Sequence, residues 1–592
     1  MVARVLSEQL QIWRLVLSHI SRHAMGWMRA GLVGRILPGA PLPDRLVIAP
    51  QDIRTADPII AEDIYAGRFA FVGQLVEVGG QSPFEVRPPS AEWARALHEF
   101  GWLRHLRVSD RALSQSNARA LIEDWIRLTP RKHPIAWAPE VVARRVQSWL
   151  SQSPLFLEGC NRTFYRRFMR SLHKQIVYLR NIINEAPEGM ARMRVAIALA
   201  AASASASGSS RFVRQAAKRL DYELDHQILP DGGHISRSPG AIIEILADLL
   251  PVRQAFNARG IAPSQAMMNA IDRMMPMLRF FWHGDGSFAL FNGMGTTPTD
   301  LVATILAYDD ARGAPPNNAS HSGYQRIATG RTVVILDTGP PPPAAVSHRA
   351  HAGCLSFEMS SGRNIVVVNC GAPTRDREAL WQVVRATAAH STAVLNDTSS
   401  CRFLAAAWLR RWIGTPILSG PKKIEVDRRE DDGVISVTAS HDGYARRFNI
   451  VHERGLLMTA DGGRIIGVDR FRTVGKGPRR EADQYAIRFH LHPTVKASRL
   501  RSGDAILIVC PDGEAWEFTA HSSEPGDPDA EQLDAMLEES IYLSDTHGHR
   551  RTEQIVVYGR IRHAPTVTWS LTRQAAATAA RGRSYGEPEL PL

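Results

Sequence analysis

The sequence predicts an α+β multidomain protein in which a long helical array precedes an antiparallel β-sandwich. Three observations carry that expectation. Segments such as SAEWARALHEFGWLRHL, PEVVARRVQSWLSQS and RTFYRRFMRSLHKQIVYLRNII place apolar residues at i, i+3, i+4 and i+7. Gly/Pro-rich connections, GAPPNNASHSG and TGPPPPAAVSH, then break the pattern. Beyond them come short alternating segments, among them ISVTASHDG, YAIRFHLHP, AILIVCP and TVTWSLTR, separated by turn residues.

Taken in order, residues 1–89 form a helix and a Pro-rich lead-in, 90–320 a helical domain, 321–575 the sandwich, and 576–592 a flexible tail. The opening stretch, VARVLSEQLQIWRLVLSHISRHAMGWM, reads as an amphipathic helix, because Arg4, Gln9, Gln11 and Arg14 interrupt its apolar residues. It lacks the layout of a clean signal peptide, and no run of ~20 apolar residues occurs anywhere. LPGAPLPDRLVIAPQDIRTADP reads as a connection, and GRFAFVGQLVEVGGQSPFEV as one or two strands. From Ser90, helices joined by short turns run to PSQAMMNAIDRMMPMLRFFW, so a stacked or ring-like array of helical hairpins is expected.

A chain of 592 residues needs more than one core. Apolar content of 44% and charged content of 22% are those of an ordinary globular protein. The net charge of +12 favours acidic partners. Nucleic acid is not expected, because no helix-turn-helix, RNA-binding or zinc-finger motif accompanies the charge. Five cysteines, odd in number and widely spaced, give no disulfide framework. GxSxG, P-loop, HExxH and dinucleotide motifs are lacking, so no nucleotide cofactor is expected.

Polar residues of interest gather between His348 and His390. Leu355, Phe357 and Met359 alternate on one face, and Ile365–Val368 is a continuous apolar run. Ser360-Ser361-Gly362 between them supplies the turn of a hairpin. His348 and His351 precede the first strand, Asn369 and Cys370 end the second, and His390 follows in TAAHST. Strand ends on a rigid sheet are where sites are commonly built.

The run from His351 through Leu355-Ser-Phe-Glu358, then VVVNCG and TAAHST, resembles the heparinase II/III family of polysaccharide lyases over roughly residues 90–575. The resemblance implies an incomplete α/α toroid followed by a β-sandwich. It also implies β-elimination on an acidic glycan, with uronate units and sulfate groups as the features to be recognised. Such chemistry needs a group to neutralise the uronate, a base for the adjacent proton and an acid for the leaving oxygen. His351 matches the catalytic histidine, and His348, three residues earlier, stands near enough to replace it or to touch substrate. His390 matches a position that holds zinc in some members. Here Asn369 stands at the family's Asp position, and Gly353 and Cys354 at its Asp-His positions. Cys354 and Cys370 with His390 are the alternative ligand set for a structural zinc, and the plainer reading is two buried cysteines on strands.

In the helical part, HQILPDGGHISRSPGAII resembles a family stretch whose Ser-Pro is followed by a catalytic tyrosine. This chain has Gly240 there instead. His234 becomes the second acid–base candidate and Arg237 a carboxylate contact. Asn161 and Arg162, opening a basic aromatic helix, and Asn292, in WHGDGSFALFNGMG, complete the substrate-binding set. Tyr444 in HDGY reads as structural. The family is usually exported to the periplasm or cell envelope. A non-catalytic glycan-binding or envelope-assembly protein that kept the cleft and lost the site is the rival expectation. Hydrolysis by two carboxylates would have to use two of Glu358, Asp231 and Asp285.

Overall fold

Four helices form the inner layer of the helical domain: Ala91–Glu99, Pro139–Ser151, Met190–Ser205 and Pro239–Ala258, each packed on the next. Arg111–Leu128, Arg162–Ile182, Ser210–Gln227 and Gln265–Phe280 return between them on the outside. The computed structural model describes residues 2–28, 45–108, 111–129, 133–207, 210–308, 313–373, 378–475, 483–501, 505–523, 531–545 and 548–574. The Pro-rich part of the lead-in (29–44) and the tail expected at 576–592 lie outside these residues.

Sequence explains the layering. From Val195 on, MARMRVAIALAAASAS is apolar or small all round, so Val195–Ser205 is buried on every side, and its alanines let the flanking helices approach closely. Arg162–Ile182 keeps one apolar stripe, with Phe164, Phe168, Leu172, Ile176 and Leu179 turned inward. Ser90, Asn161 and Ser264 cap their helices by accepting from the backbone N–H of Trp93, Phe164 and Met267. Pro239 opens its helix at the position where a missing N–H does no harm.

After the short helix Thr299–Leu306 the chain turns to strands. Among the described residues, one antiparallel sheet has nine strands. Its path runs Ala535–Asp545, Gly548–Arg560, Gln484–Leu491, Asn364–Val368, Phe357–Ser361, Thr332–Asp337, Tyr324–Thr329 and Asn318–Ala319, with Ala393–Leu395 pairing beside Gln484–Leu491. The other sheet has eight strands, from Ile424–Asp431 through Val434–His441 and Ile450–Met458 to Lys496–Arg499. Their facing sides share a core in which the Trp569 ring lies 5.4 Å from Phe357 and 4.8 Å from Phe489. The order of a helical array followed by an antiparallel sandwich is as expected.

The expected hairpin forms between Phe357–Ser361 and Asn364–Val368, with one correction. Ser360 and Ser361 lie within the first strand, and Gly362-Arg363 makes the turn, with Gly362 at φ +52°. A two-residue turn needs positive φ at its first position, which glycine takes and Ser361 would resist.

The N-terminal helix Val2–Met28 packs Ile12, Leu15 and Val16 against Leu404, Leu409, Ile413 and Leu418. Its other face leaves Leu10, Trp13 (63% exposed) and Leu17 in solvent, and the helix it contacts, Ala407–Ile413, likewise exposes Trp408 and Trp412. Among the described residues no helix is long and apolar enough to cross a membrane.

Candidate functional site

The helical domain and the sandwich meet at a buried joint, and four of the predicted site residues, His351, His390, Asn292 and Arg237, lie in it. His351 is 4% exposed. Its Nδ1 is 3.0 Å from Nε2 of His390, and the Nδ1 of His390 is 2.8 Å from the Ala386 carbonyl. A carbonyl only accepts, so His390 carries its proton on Nδ1 and accepts at Nε2. His351 must then donate from its own Nδ1. That leaves Nε2 of His351 unprotonated, and this buried atom has no hydrogen-bond partner. Burial holds His390 down at about 4 and His351 well below the usual imidazole value.

The backbone N–H of His351 donates to Oδ1 of Asn292 at 3.1 Å, and Nδ2 of Asn292 donates to the Tyr324 hydroxyl at 2.7 Å. Tyr324 in turn donates to the carbonyl of Arg237 at 2.7 Å. Arg237 spreads its guanidinium over the carbonyls of Ser322, Gly323, Gly339 and Pro340 and the carboxylate of Asp337. Its ring-like cage is closed by Tyr324, whose face lies 4.6 Å from the guanidinium carbon. Asp231 reinforces the joint by accepting from the backbone and hydroxyl of Ser322.

These contacts correct several expectations. Arg237 has its donors turned to protein carbonyls and Asp337, so it fastens the loop before Pro239–Ala258 to the sandwich and offers nothing to a substrate carboxylate. Asn292 uses both ends of its amide inside the joint. His234 is buried with Nε2 3.1 Å from Oε1 of Gln227 and Nδ1 2.7 Å from the Ser236 hydroxyl, and burial lowers it to about 4. With both nitrogens occupied it cannot exchange protons with a bound glycan. Asn161 spends its side chain on a helix cap, and Arg162 stands exposed on that first turn. The helix they open packs on other helices, not on the sandwich. His348 is exposed at the surface with its ring against Gly414, where an added Cβ would meet Nδ1 at 2.6 Å.

The zinc set does not assemble either. Cys370 pairs with His490, its sulfur 3.7 Å from Nδ1, and Cys354 packs with Leu355 and Ala439. Burial pushes the Cys370 thiol up to about 12 and the Cys354 thiol well above its ordinary value, so neither is a thiolate. Nε2 of His390, the free ligand atom, is taken by His351. Among the described residues no group of three His, Cys, Asp or Glu side chains could hold a metal.

Two buried carboxylates act as hubs, a role the sequence did not reveal. Glu358, 1% exposed, accepts from the backbone and side chain of Asn369 at 2.8 and 3.0 Å, and from Leu290 N at 3.1 Å. Nε2 of His283 lies 3.3 Å from its other oxygen. Asn369 at the family's Asp position thus holds Glu358, while its Oδ1 accepts from Ser391 N at 3.0 Å. The second hub is Asp469, fully buried, bound by His452, Arg454 and the indole of Trp569. Arg454 also reaches the carbonyls of Leu355 and Ser391, tying both motif blocks to the second sheet. A charged residue between apolar strand neighbours, as in GVDRF, is the signal that could have flagged it. Tyr444 donates to the Ala393 carbonyl inside the sandwich, a structural contact.

Residues 311–570 match the family described as Heparinase II/III-like, C-terminal. Over 573 residues the chain is 30% identical to FtsZ-localized protein C of Caulobacter vibrioides (strain NA1000 / CB15N), spanning 95% of this chain and 96% of that one. The chain belongs to the heparinase II/III-like family. Among solved structures, Heparinase III superposes with a TM-score of 0.69 at 15% identity, covering 95% of this chain and 90% of that one. A mutant of the heparan sulfate lyase HepC from Pedobacter heparinus gives 0.61 at 16% identity, covering 94% and 87%. At such identities the likeness is one of fold: the helical toroid and sandwich of this family member are those of the lyases.

Proposed function

We propose that this heparinase II/III-like protein is a non-catalytic assembly protein of the bacterial envelope, built on a lyase scaffold whose site has become a structural joint. The observation that carries this reading is the interlocked chain His390–His351–Asn292–Tyr324–Arg237, in which every donor points into protein. The family tyrosine is replaced by Gly240, and Arg237, the candidate cation of the joint, is spent on carbonyls and Asp337. Its relative in Caulobacter vibrioides is named for localisation with FtsZ, and an analogous role beside that polymer fits a chain that exposes Trp13, Trp408 and Trp412 on two contacting helices. Co-sedimentation of the purified protein with FtsZ polymers tests the assembly role. Loss of co-sedimentation in a Trp13→Ser, Trp408→Ser variant would link it to that face.

A second reading is favoured by one atom. Nε2 of His351 is an unprotonated acceptor without a partner, which is the state a base for β-elimination requires. Under that reading the protein is a polysaccharide lyase for an acidic glycan, and the joint must open to admit it. Incubation with heparan sulfate, hyaluronan and alginate, followed by the ultraviolet absorbance of an unsaturated uronate, separates the two. The assembly reading expects no rise. The lyase reading expects a rise that His351→Ala abolishes.

A further inference from the structure

A cavity of about 220 Å³ lies inside the helical domain and touches none of the residues discussed so far. The inner helices run in one direction. The starts of two of them face the sandwich: Gly189, before Met190–Ser205, approaches Val346, and Arg237 precedes Pro239–Ala258. Glu99, Gly101, Ser148 and Ser151, which line the cavity, stand at or beyond helix ends of the opposite sense. The cavity therefore belongs to the end of the barrel away from the sandwich, where Pro50–Arg54 crosses it.

Its charges balance. Arg54 and Arg144 converge on Asp248 and Glu244, with Arg194 3.7 Å from Glu244. This cluster is an ion-pair network of guanidinium and carboxylate, behind which Nε of Arg194 is left without a partner. Two further groups lack hydrogen bonds. The Glu99 carboxylate makes none, and burial raises it above its ordinary value although Arg144 and Arg194 act in the opposite sense. Oε1 of Gln147 is buried without a partner. Arg104, on the rim, gives its guanidinium to the carbonyls of Thr55 and Gly101, not to an acid. With Asp52, the set holds four acids (Asp52, Glu99, Glu244, Asp248) and four arginines (Arg54, Arg104, Arg144, Arg194), a formal sum of zero. Pro50, Ala247, Pro251 and Val252 add flat apolar walls.

We propose that this far-end cavity is a binding site for one neutral sugar ring. Unmatched acceptors call for a ligand rich in hydroxyl donors. Electroneutral lining disfavours a net-charged ligand, which would be desolvated without a counter-charge. Apolar walls suit the C–H faces of a pyranose, and the volume admits a single ring where drug-sized pockets begin at roughly 300 Å³. The proposal does not depend on whether the joint at His351 is catalytic.

The test is ligand-observed NMR and calorimetry on the full chain with glucose, N-acetylglucosamine and cellobiose, and with glucuronate as the charged probe. Saturable binding of a neutral sugar is expected, weakened at least about fivefold in Glu99→Gln and in Gln147→Ala and unchanged in His351→Ala. Melting temperatures of the variants identify any that fail to fold, and the two substitutions are scored independently. Absence of saturation with all three neutral sugars would overturn the proposal. So would binding that neither folded variant weakens, or glucuronate binding as tightly as glucose.

Discussion

Nδ1 of His351 donates across 3.0 Å to Nε2 of His390, and the direction of that bond is set one step away, by the Ala386 carbonyl that fixes the His390 tautomer. A pair oriented in this way leaves one buried imidazole nitrogen bare while both rings stay neutral. Its consequence for stability is a dependence on pH.

Buried histidines here are held neutral. His234 and His390 sit at about 4 and His490 at about 3, all chiefly through desolvation. In the unfolded chain each would titrate near 6.5. Between those values the unfolded state binds more protons, so stability is full above about 6.5 and is lost as pH falls toward 4. Each group contributes on the order of 3 kcal/mol to that loss. Denaturant melts from neutral to mildly acidic pH are expected to show a steep fall in the midpoint. A flat midpoint across the window would mean that these rings are solvated.

Breaking the Arg237–Asp337 contact leaves a buried charge without its partner. Arg237→Ala is expected to cost about 3–5 kcal/mol, and Arg162→Ala, on an exposed turn, less than about 0.5 kcal/mol. Thermal unfolding of the two variants side by side measures the difference. Equal melting temperatures would refute the role of Arg237 as the fastening of the two domains.

At Gly284 the loop that carries His283 passes the hairpin turn so closely that an added Cβ would sit 1.7 Å from the Gly362 carbonyl oxygen. Gly284→Ala must push loop and turn apart and is expected to destabilise by about 2–4 kcal/mol. Gly313→Ala, where the Cβ meets nothing, is the control.

Cys354 and Cys370 are expected to resist alkylation in the native protein, because burial keeps them protonated thiols, and the half-buried Cys160 is expected to react first. Their neutral state also predicts no rise in melting temperature on adding zinc. Mass spectrometry after a timed alkylation, and a melt with zinc, check the two statements.

The two-part fold was readable because its signals are local and long. Helical periodicity persists through Arg162–Ile182 and its neighbours, and the change to alternating strands after Thr299–Leu306 is abrupt. The hairpin turn was placed one position early because Ser and Gly both favour turns, and only the backbone shows that Gly362-Arg363 carries the reversal. That Asn292 and Arg237 join His351 and His390 in one region was implied by the family resemblance. What sequence could not supply is the direction of each side chain. Arg237, His234 and Asn292 are polar residues on loops, which reads as availability, yet Arg237 is claimed by Ser322 and Asp337 from across the joint, Asn292 by Tyr324 and His351, and His234 by Gln227 and Ser236 beside it. The hub roles of Asp469 and Glu358 lay hidden because their partners sit on neighbouring strands and loops whose pairing the sequence does not display.

The measurement that most directly tests the central claim is ultraviolet absorbance of unsaturated uronate during incubation of the purified protein with acidic polysaccharides, with His351→Ala alongside. A joint closed around His351 predicts no increase above the no-enzyme baseline for any substrate. An increase that disappears in His351→Ala would contradict it and make the buried Nε2 a working base.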